Sequence, residues 1–88
     1  MATTLVQSKV RDYATWKKAF DSLQELRKSS GAVTDHIYRD ADDPSKIIAI
    51  LKWSSISNAR KYYKSAEFKS ALVKAGAEGT TIAFLDDA

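Results

Sequence analysis

The chain has 88 residues, no cysteine, and 14 Lys plus Arg against 11 Asp plus Glu, a net charge of +3. The missing cysteines exclude disulfide staples, thiolate metal sites and thiol chemistry, and so small a charge does not by itself argue for nucleic acid. Apolar residues at 44% and charged residues at 28% suit a folded globular domain rather than a disordered one, and no apolar run reaches the ~18 residues of a membrane span.

Residues 1–88 therefore read as one domain. A domain this small buries only about 60–65% of the surface its unfolded chain exposes, so its core is marginal and association with a partner is the remaining support. The start Met1-Ala-Thr-Thr4 lacks a charged region followed by an apolar stretch, and a cytoplasmic location is expected.

Thr3 to Val10 is predicted as a strand, with Leu5 on one face and Val6 and Val10 on the other. Tyr13, Trp16, Phe20 and Leu23, joined by Ala19 and Leu26, form the stripe of an amphipathic helix. Asp12 or Thr15 is suited to cap its start, and Gly31 to end it in a left-handed conformation. Val33 to Arg39 is β-branched and aromatic and predicts a second strand. Asp40-Ala-Asp-Asp-Pro-Ser45 is a polar turn, and Lys46 to Trp53 a third strand, antiparallel to the second because the connection is short. Ser54, Ser55 and Ser57 offer caps for a second helical region reaching Ala75, with Ser65 a possible break and Gly76 and Gly79 as terminators. Thr80 to Leu85 is the last strand, and residues 86–88 a frayed tail.

The order βαββαβ implies an α+β fold of the ferredoxin-like kind, a four-stranded antiparallel sheet with both helical regions on one face. The third strand then poses a problem. Ile47, Ala49 and Leu51 point one way and Ile48 and Ile50 the other; Ile82 and Phe84 likewise oppose Ala83 and Leu85. Helices cover one face only, so the other needs a cover, and a homodimer through the helix-free face is the expectation.

With those residues placed, the chain resembles the dimeric α/β-barrel superfamily, and within it the antibiotic biosynthesis monooxygenase-like domains. The stretches that carry the resemblance are Asp12-Tyr-Ala-Thr-Trp-Lys-Lys-Ala-Phe20, Tyr38-Arg-Asp-Ala-Asp-Asp-Pro-Ser-Lys-Ile-Ile48, Ala59-Arg-Lys-Tyr-Tyr-Lys-Ser-Ala-Glu-Phe68, Ala75-Gly76 and Thr81-Ile-Ala-Phe-Leu85. The resemblance implies two ferredoxin-like monomers packed sheet to sheet, each with a small cavity between sheet and helices. The activities it implies are cofactor-independent oxygenation or cyclisation of aromatic or polyketide-like molecules. Haem degradation, also found in the superfamily, resembles an Asn, Trp and His set with the histidine on the second helical region. Here the single histidine, His36, falls on a strand, which argues against it. An Asn, Trp and Tyr set has candidates in Asn58, Trp53 and Tyr62.

His36 is the only side chain with an ordinary pKa near neutrality, hence the candidate general base toward a phenol; the plain alternative is a surface strand residue. Trp16, Tyr38, Trp53, Tyr62 and Phe68 are candidate pocket residues, with Trp53 nearest the mouth. Aromatic stripes at helical spacing more often fill cores. One histidine and no cysteine assemble no metal, haem or flavin pattern, so no metal and no cofactor are expected. Asp40, Asp42 and Asp43 lack the glycine and distal glutamate of a calcium loop, and Arg60, Lys61, Lys64, Lys69 and Lys74 read as a solvated face. An RNA-recognition module shares the strand order, but its stacking rings are replaced here by aliphatics on the third strand. A cofactor-independent oxygenase or cyclase, and a non-catalytic ligand-binding or assembly domain, are the two readings left.

Overall fold

The computed structural model describes residues 2–88. Along them run β1 (Ala2–Lys9), α1 (Tyr13–Ser22), α2 (Gln24–Ser29), β2 (Ala32–Arg39), β3 (Lys46–Trp53), α3 (Ile56–Tyr63), α4 (Ala66–Ala75) and β4 (Glu78–Leu85). The strands make one antiparallel sheet in the order β2-β3-β1-β4. This is the ferredoxin-like α+β arrangement expected from the element order.

Strand register fixes which side chains meet, because residues opposite one another in an antiparallel pair share a face. Val6 lies opposite Ala49 and Ile82, and Ala49 opposite Ile37, on the face that the helices cover. Ile47, Ala49, Leu51 and Trp53 are all buried there. Leu5 lies opposite Ile50 and Ala83, and Ile48 opposite Tyr38, on the helix-free face. The two-sided apolar pattern read from the sequence is therefore a property of the sheet. On the uncovered side Tyr38 is 53% and Leu85 42% exposed.

Both helical regions are broken. The expected single helix before Gly31 divides at Leu23, whose amide donates back to the Phe20 carbonyl in a tightened turn. The Ser22 hydroxyl donates to the Ala19 carbonyl and competes with the helical ladder at the same place. The second region divides at Lys64–Ser65, where the Ser65 oxygen accepts from the Phe68 amide and starts α4 afresh. Asp12 and Ser55 cap α1 and α3. Gly31 follows α2 at φ 104°, and an added Cβ would stand 2.6 Å from Ser54 Oγ and 2.8 Å from Asn58 Nδ2. That position needs glycine for its backbone and for its space.

Gly79, expected as a helix terminator, lies instead within β4. Gln7 faces Thr81 and Lys9 faces Glu78, so Ser8 is opposed by both Gly79 and Thr80, a bulge with Gly79 at φ 59°. The acidic hairpin tip is used for turn geometry. Asp40 Oδ1 accepts from the amides of Asp42 and Asp43, and Asp43 accepts from the Ser45 hydroxyl and amide. The Ser45 hydroxyl, then its amide, hold the Asp43 carboxyl below the ordinary range. Among the described residues no group of three His, Cys, Asp or Glu could hold a metal ion, and no helix is long and apolar enough to cross a membrane.

Candidate functional site

A cavity of about 50 Å³ lies between the sheet and the helices. Its floor is made by inward residues of β1 and β3: Val6, Ser8, Ile47, Ala49 and Leu51. One wall comes from α1 and α2, through Trp16, Phe20, Leu23 and Arg27; the other from α3 and α4, through Tyr62, Phe68 and Leu72. The Trp16 and Phe20 rings stack with centroids 5.1 Å apart, and Tyr62, Tyr63 and Phe68 pack edge-on or tilted within 5.5 Å of one another. The walls thus present faces and edges of aromatic rings, the lining suited to a planar apolar guest.

Arg27 is the exception in this lining. It is 3% exposed, and its Nη1 donates to the Phe20 carbonyl at 2.7 Å. Its guanidinium carbon stands 3.6 Å from the centroid of the Phe20 ring. The ion pairs between described residues are Lys9–Asp43, Arg11–Glu78 and Lys17–Asp21, and none includes Arg27. A buried cation normally has an anion beside it, because desolvation is otherwise uncompensated. Tyr62 reports the same environment: burial pushes its phenol up, while the Arg27 guanidinium beside it pulls it down.

Behind the cavity is a buried polar cluster. Trp53 Nε1 donates to Thr4 Oγ1 at 2.9 Å, and the Tyr63 hydroxyl is 2.7 Å from the same oxygen. Burial pushes the Tyr63 phenol up to about 12.

The structure separates the candidate residues of the sequence. Trp16, Tyr62 and Phe68 line the cavity. Trp53 does not: it is 0% exposed and sealed in the core against Thr4, Tyr62 and Tyr63, not at a pocket mouth. Tyr38 and His36 are also elsewhere. They lie opposite Ile48 and Ile50, which places both on the helix-free face, across the sheet from the cavity. The strand's alternation decides this: Ile37, between them, takes the inward position. His36 therefore does not line the cavity; it borders a separate groove between α2 and β2. Asn58 is exposed, with its amide nitrogen 3.0 Å from Ser54 Oγ.

The residue that sequence reasoning missed is Arg27. Its signal was present: Arg27 follows Phe20 by seven residues and Leu23 by four, at a buried position of the apolar stripe. A charge at such a position is the anomaly to look for.

The fold is that of antibiotic biosynthesis monooxygenases. A crystal structure of an antibiotic biosynthesis monooxygenase is similar over 100% of this chain and 99% of its own, with TM-score 0.75 and 16% identity. SnoaB, a cofactor-independent oxygenase from Streptomyces nogalater, is similar over 99% of this chain and 92% of its own, with TM-score 0.81 and 13% identity. A conserved protein from Methanosarcina mazei Go1 has TM-score 0.65 and 14% identity over 100% of this chain and 94% of its own. No protein-family model matches the sequence, and no curated protein sequence does.

Proposed function

We propose that the chain is a homodimeric domain that binds a small aromatic or polyketide-like molecule in the cavity between its sheet and helices. The observation that carries this reading is the cavity wall itself, aromatic faces from both helical regions converging on one buried cation. The helix-free face, with Leu5, Ile48, Ile50 and Leu85 uncovered by any helix, supports the dimer.

At about 50 Å³ the cavity is smaller than the ~150 Å³ that accommodates benzene in an apolar core. Binding therefore requires α1 and α4 to part above the sheet. The two helical regions that flank the cavity are interrupted at Leu23 and at Lys64–Ser65.

The chemistry supported by the likeness to SnoaB is oxygenation without a cofactor. A ring methylene whose neighbouring phenol or enol has lost its proton is electron-rich enough to be oxidised by dioxygen directly. One oxygen atom becomes the new carbonyl, the other leaves as water with the two methylene hydrogens, and no outside reductant is needed. The protein's part is to exclude water, hold the ring and stabilise the anion. One observation favours the second reading, a non-catalytic binding domain: among the described residues lining the cavity there is no histidine and no carboxylate to accept the proton.

Dioxygen uptake across a panel of mono-, di- and tricyclic phenols separates the two. Uptake that saturates with phenol concentration and falls in Phe20→Ala and Tyr62→Ala variants supports the oxygenase. Saturable binding without uptake leaves the binding domain. Light scattering coupled to size exclusion tests the dimer, which has twice the 9.8 kDa chain mass.

A further inference from the structure

We propose that the guest of this cavity is an oxyanion, an aromatic or polyketide-like molecule carrying one carboxylate, phenolate or enolate, and that Arg27 receives its negative oxygen. The proposal rests on the reading of the cavity as a binding site and names what that site selects.

Arg27 is a cation held out of water with no described carboxylate paired to it. A guanidinium has five N–H donors; the Phe20 carbonyl takes one from Nη1, and the Tyr62 hydroxyl also faces the guanidinium. Every fully buried side-chain nitrogen among the described residues has a partner. The guanidinium donors that lack one therefore open onto accessible space. That space is of two kinds. Arg27 lines the cavity, and it also lines a wider groove between α2 and β2 formed with Gln24, Lys28, Thr34, Asp35 and His36. Among the described residues it is the one lining residue the two have in common, so the side chain stands between an outer approach and an inner chamber.

This placement matches what an anionic guest needs. Lys28 adds a second cation to the outer groove, set against the single carboxylate of Asp35. Inside, Arg27 is the sole charged group among the described lining residues, so nothing there repels an oxyanion. Low polarity around it strengthens the attraction, and the planar fork suits a carboxylate or an enolate oxygen. A neutral guest of the same shape would gain the aromatic walls and leave the cation uncompensated. For a phenol or enol, the same cation favours the ionised form, so a guest that has already lost its proton to solvent is the one retained.

The test uses the full-length chain and two probes of nearly equal shape, benzoate and benzamide. Their binding is followed by NMR through the Trp16 indole N–H and the Arg27 Nε–H. Benzoate is expected to bind at least about tenfold more tightly, the factor set by one charge-assisted hydrogen bond. Arg27→Met is expected to erase that preference and Arg27→Lys to keep part of it. Equal affinity for the two probes in the unaltered protein overturns the role of Arg27 while leaving the cavity as a binding site. A preference that survives in folded Arg27→Met also overturns it. Failure of both probes to shift either signal overturns the cavity reading and this proposal with it. If Arg27→Met does not fold, the wild-type comparison and Arg27→Lys decide.

Discussion

Arg27 donates to the Phe20 carbonyl at 2.7 Å and lays its guanidinium over the ring of the same residue, 3.6 Å from the centroid. The break in the helix at Leu23 makes the bond possible, because it deprives the Phe20 carbonyl of its regular helical donor, while Arg27 keeps its buried place on the apolar stripe.

A cation kept for binding should not be the best residue for stability. Arg27→Met retains most of the volume and removes the desolvated charge, so its stability is expected to match or exceed that of the unaltered chain, by up to about 2 kcal/mol. Chemical denaturation followed by circular dichroism measures it. A loss of more than about 2 kcal/mol would mean that the bond to Phe20 and the ring contact hold the fold together, and that Arg27 is structural.

Thr4 is the shared partner of two buried polar tips, the Trp53 indole and the Tyr63 hydroxyl. Thr4→Val keeps the shape and strands both, at an expected cost of about 2–3 kcal/mol. Denaturant unfolding reads this directly, and a change below about 0.5 kcal/mol would show that both groups find other partners.

How far was this legible in the sequence? The alternation of Ile47, Ile48, Ala49, Ile50 and Leu51 has period two, which by itself distinguishes the two sheet faces. The helix stripe from Tyr13 to Leu23 marks the buried face of α1, Trp16 included. The faces of His36 and Tyr38 stay open in the sequence because an exposed edge strand lacks strong apolar alternation; Ile37 is its one large inward aliphatic, and the phase follows only from its pairing with Ala49. Trp53 was misplaced because a tryptophan at a strand end reads as a rim residue, whereas its indole proton is satisfied deep in the core by Thr4. Arg27 is legible as a charge on the apolar stripe, whereas the bond it makes to the Phe20 carbonyl depends on hydrogen-bond competition around Ala19 and Phe20, which propensity does not encode.

Gly31 and Gly76 both have positive φ, 104° and 66°, but only Gly31 is crowded, by Ser54 and Asn58. Gly31→Ala should therefore cost more than Gly76→Ala, about 2–3 kcal/mol against about 1 kcal/mol. Thermal melts of the two variants make the comparison. Equal losses would mean that the Ser54 and Asn58 side chains move aside freely.

Raising the pH should unfold the protein through Tyr63. Its phenol titrates at about 12 when folded and near 10 when unfolded. Between those values the unfolded chain has released a proton that the folded one still holds, so stability falls as pH rises through that window, by roughly 2–3 kcal/mol in all. Burial acts on Tyr62 in the same direction. Tyrosinate absorbance should rise together with loss of circular dichroism, and Tyr63→Phe should flatten the decline. A decline between pH 10 and 12 that is as steep in Tyr63→Phe would contradict this.

Ile50 stands on the helix-free face, opposite Leu5 on one side and His36 on the other. A lysine there would bury a charge in the proposed sheet-to-sheet interface, so Ile50→Lys is expected to give a folded monomer, and the unaltered chain the proposed dimer. Light scattering at micromolar concentration checks both proteins. Identical masses would place any self-association on another surface.

The site is tested most directly by asking where a bound phenol sits. With p-cresol and methyl-labelled protein, intermolecular nuclear Overhauser effects report the side chains that touch the ring. The account predicts contacts to Val6, Ala71 and Leu72, which line the cavity, and none to Ile48 or Ile50 on the opposite face. Contacts to Ile48 and Ile50 without any to Leu72 would contradict it, as they would place the guest on the helix-free face of the sheet.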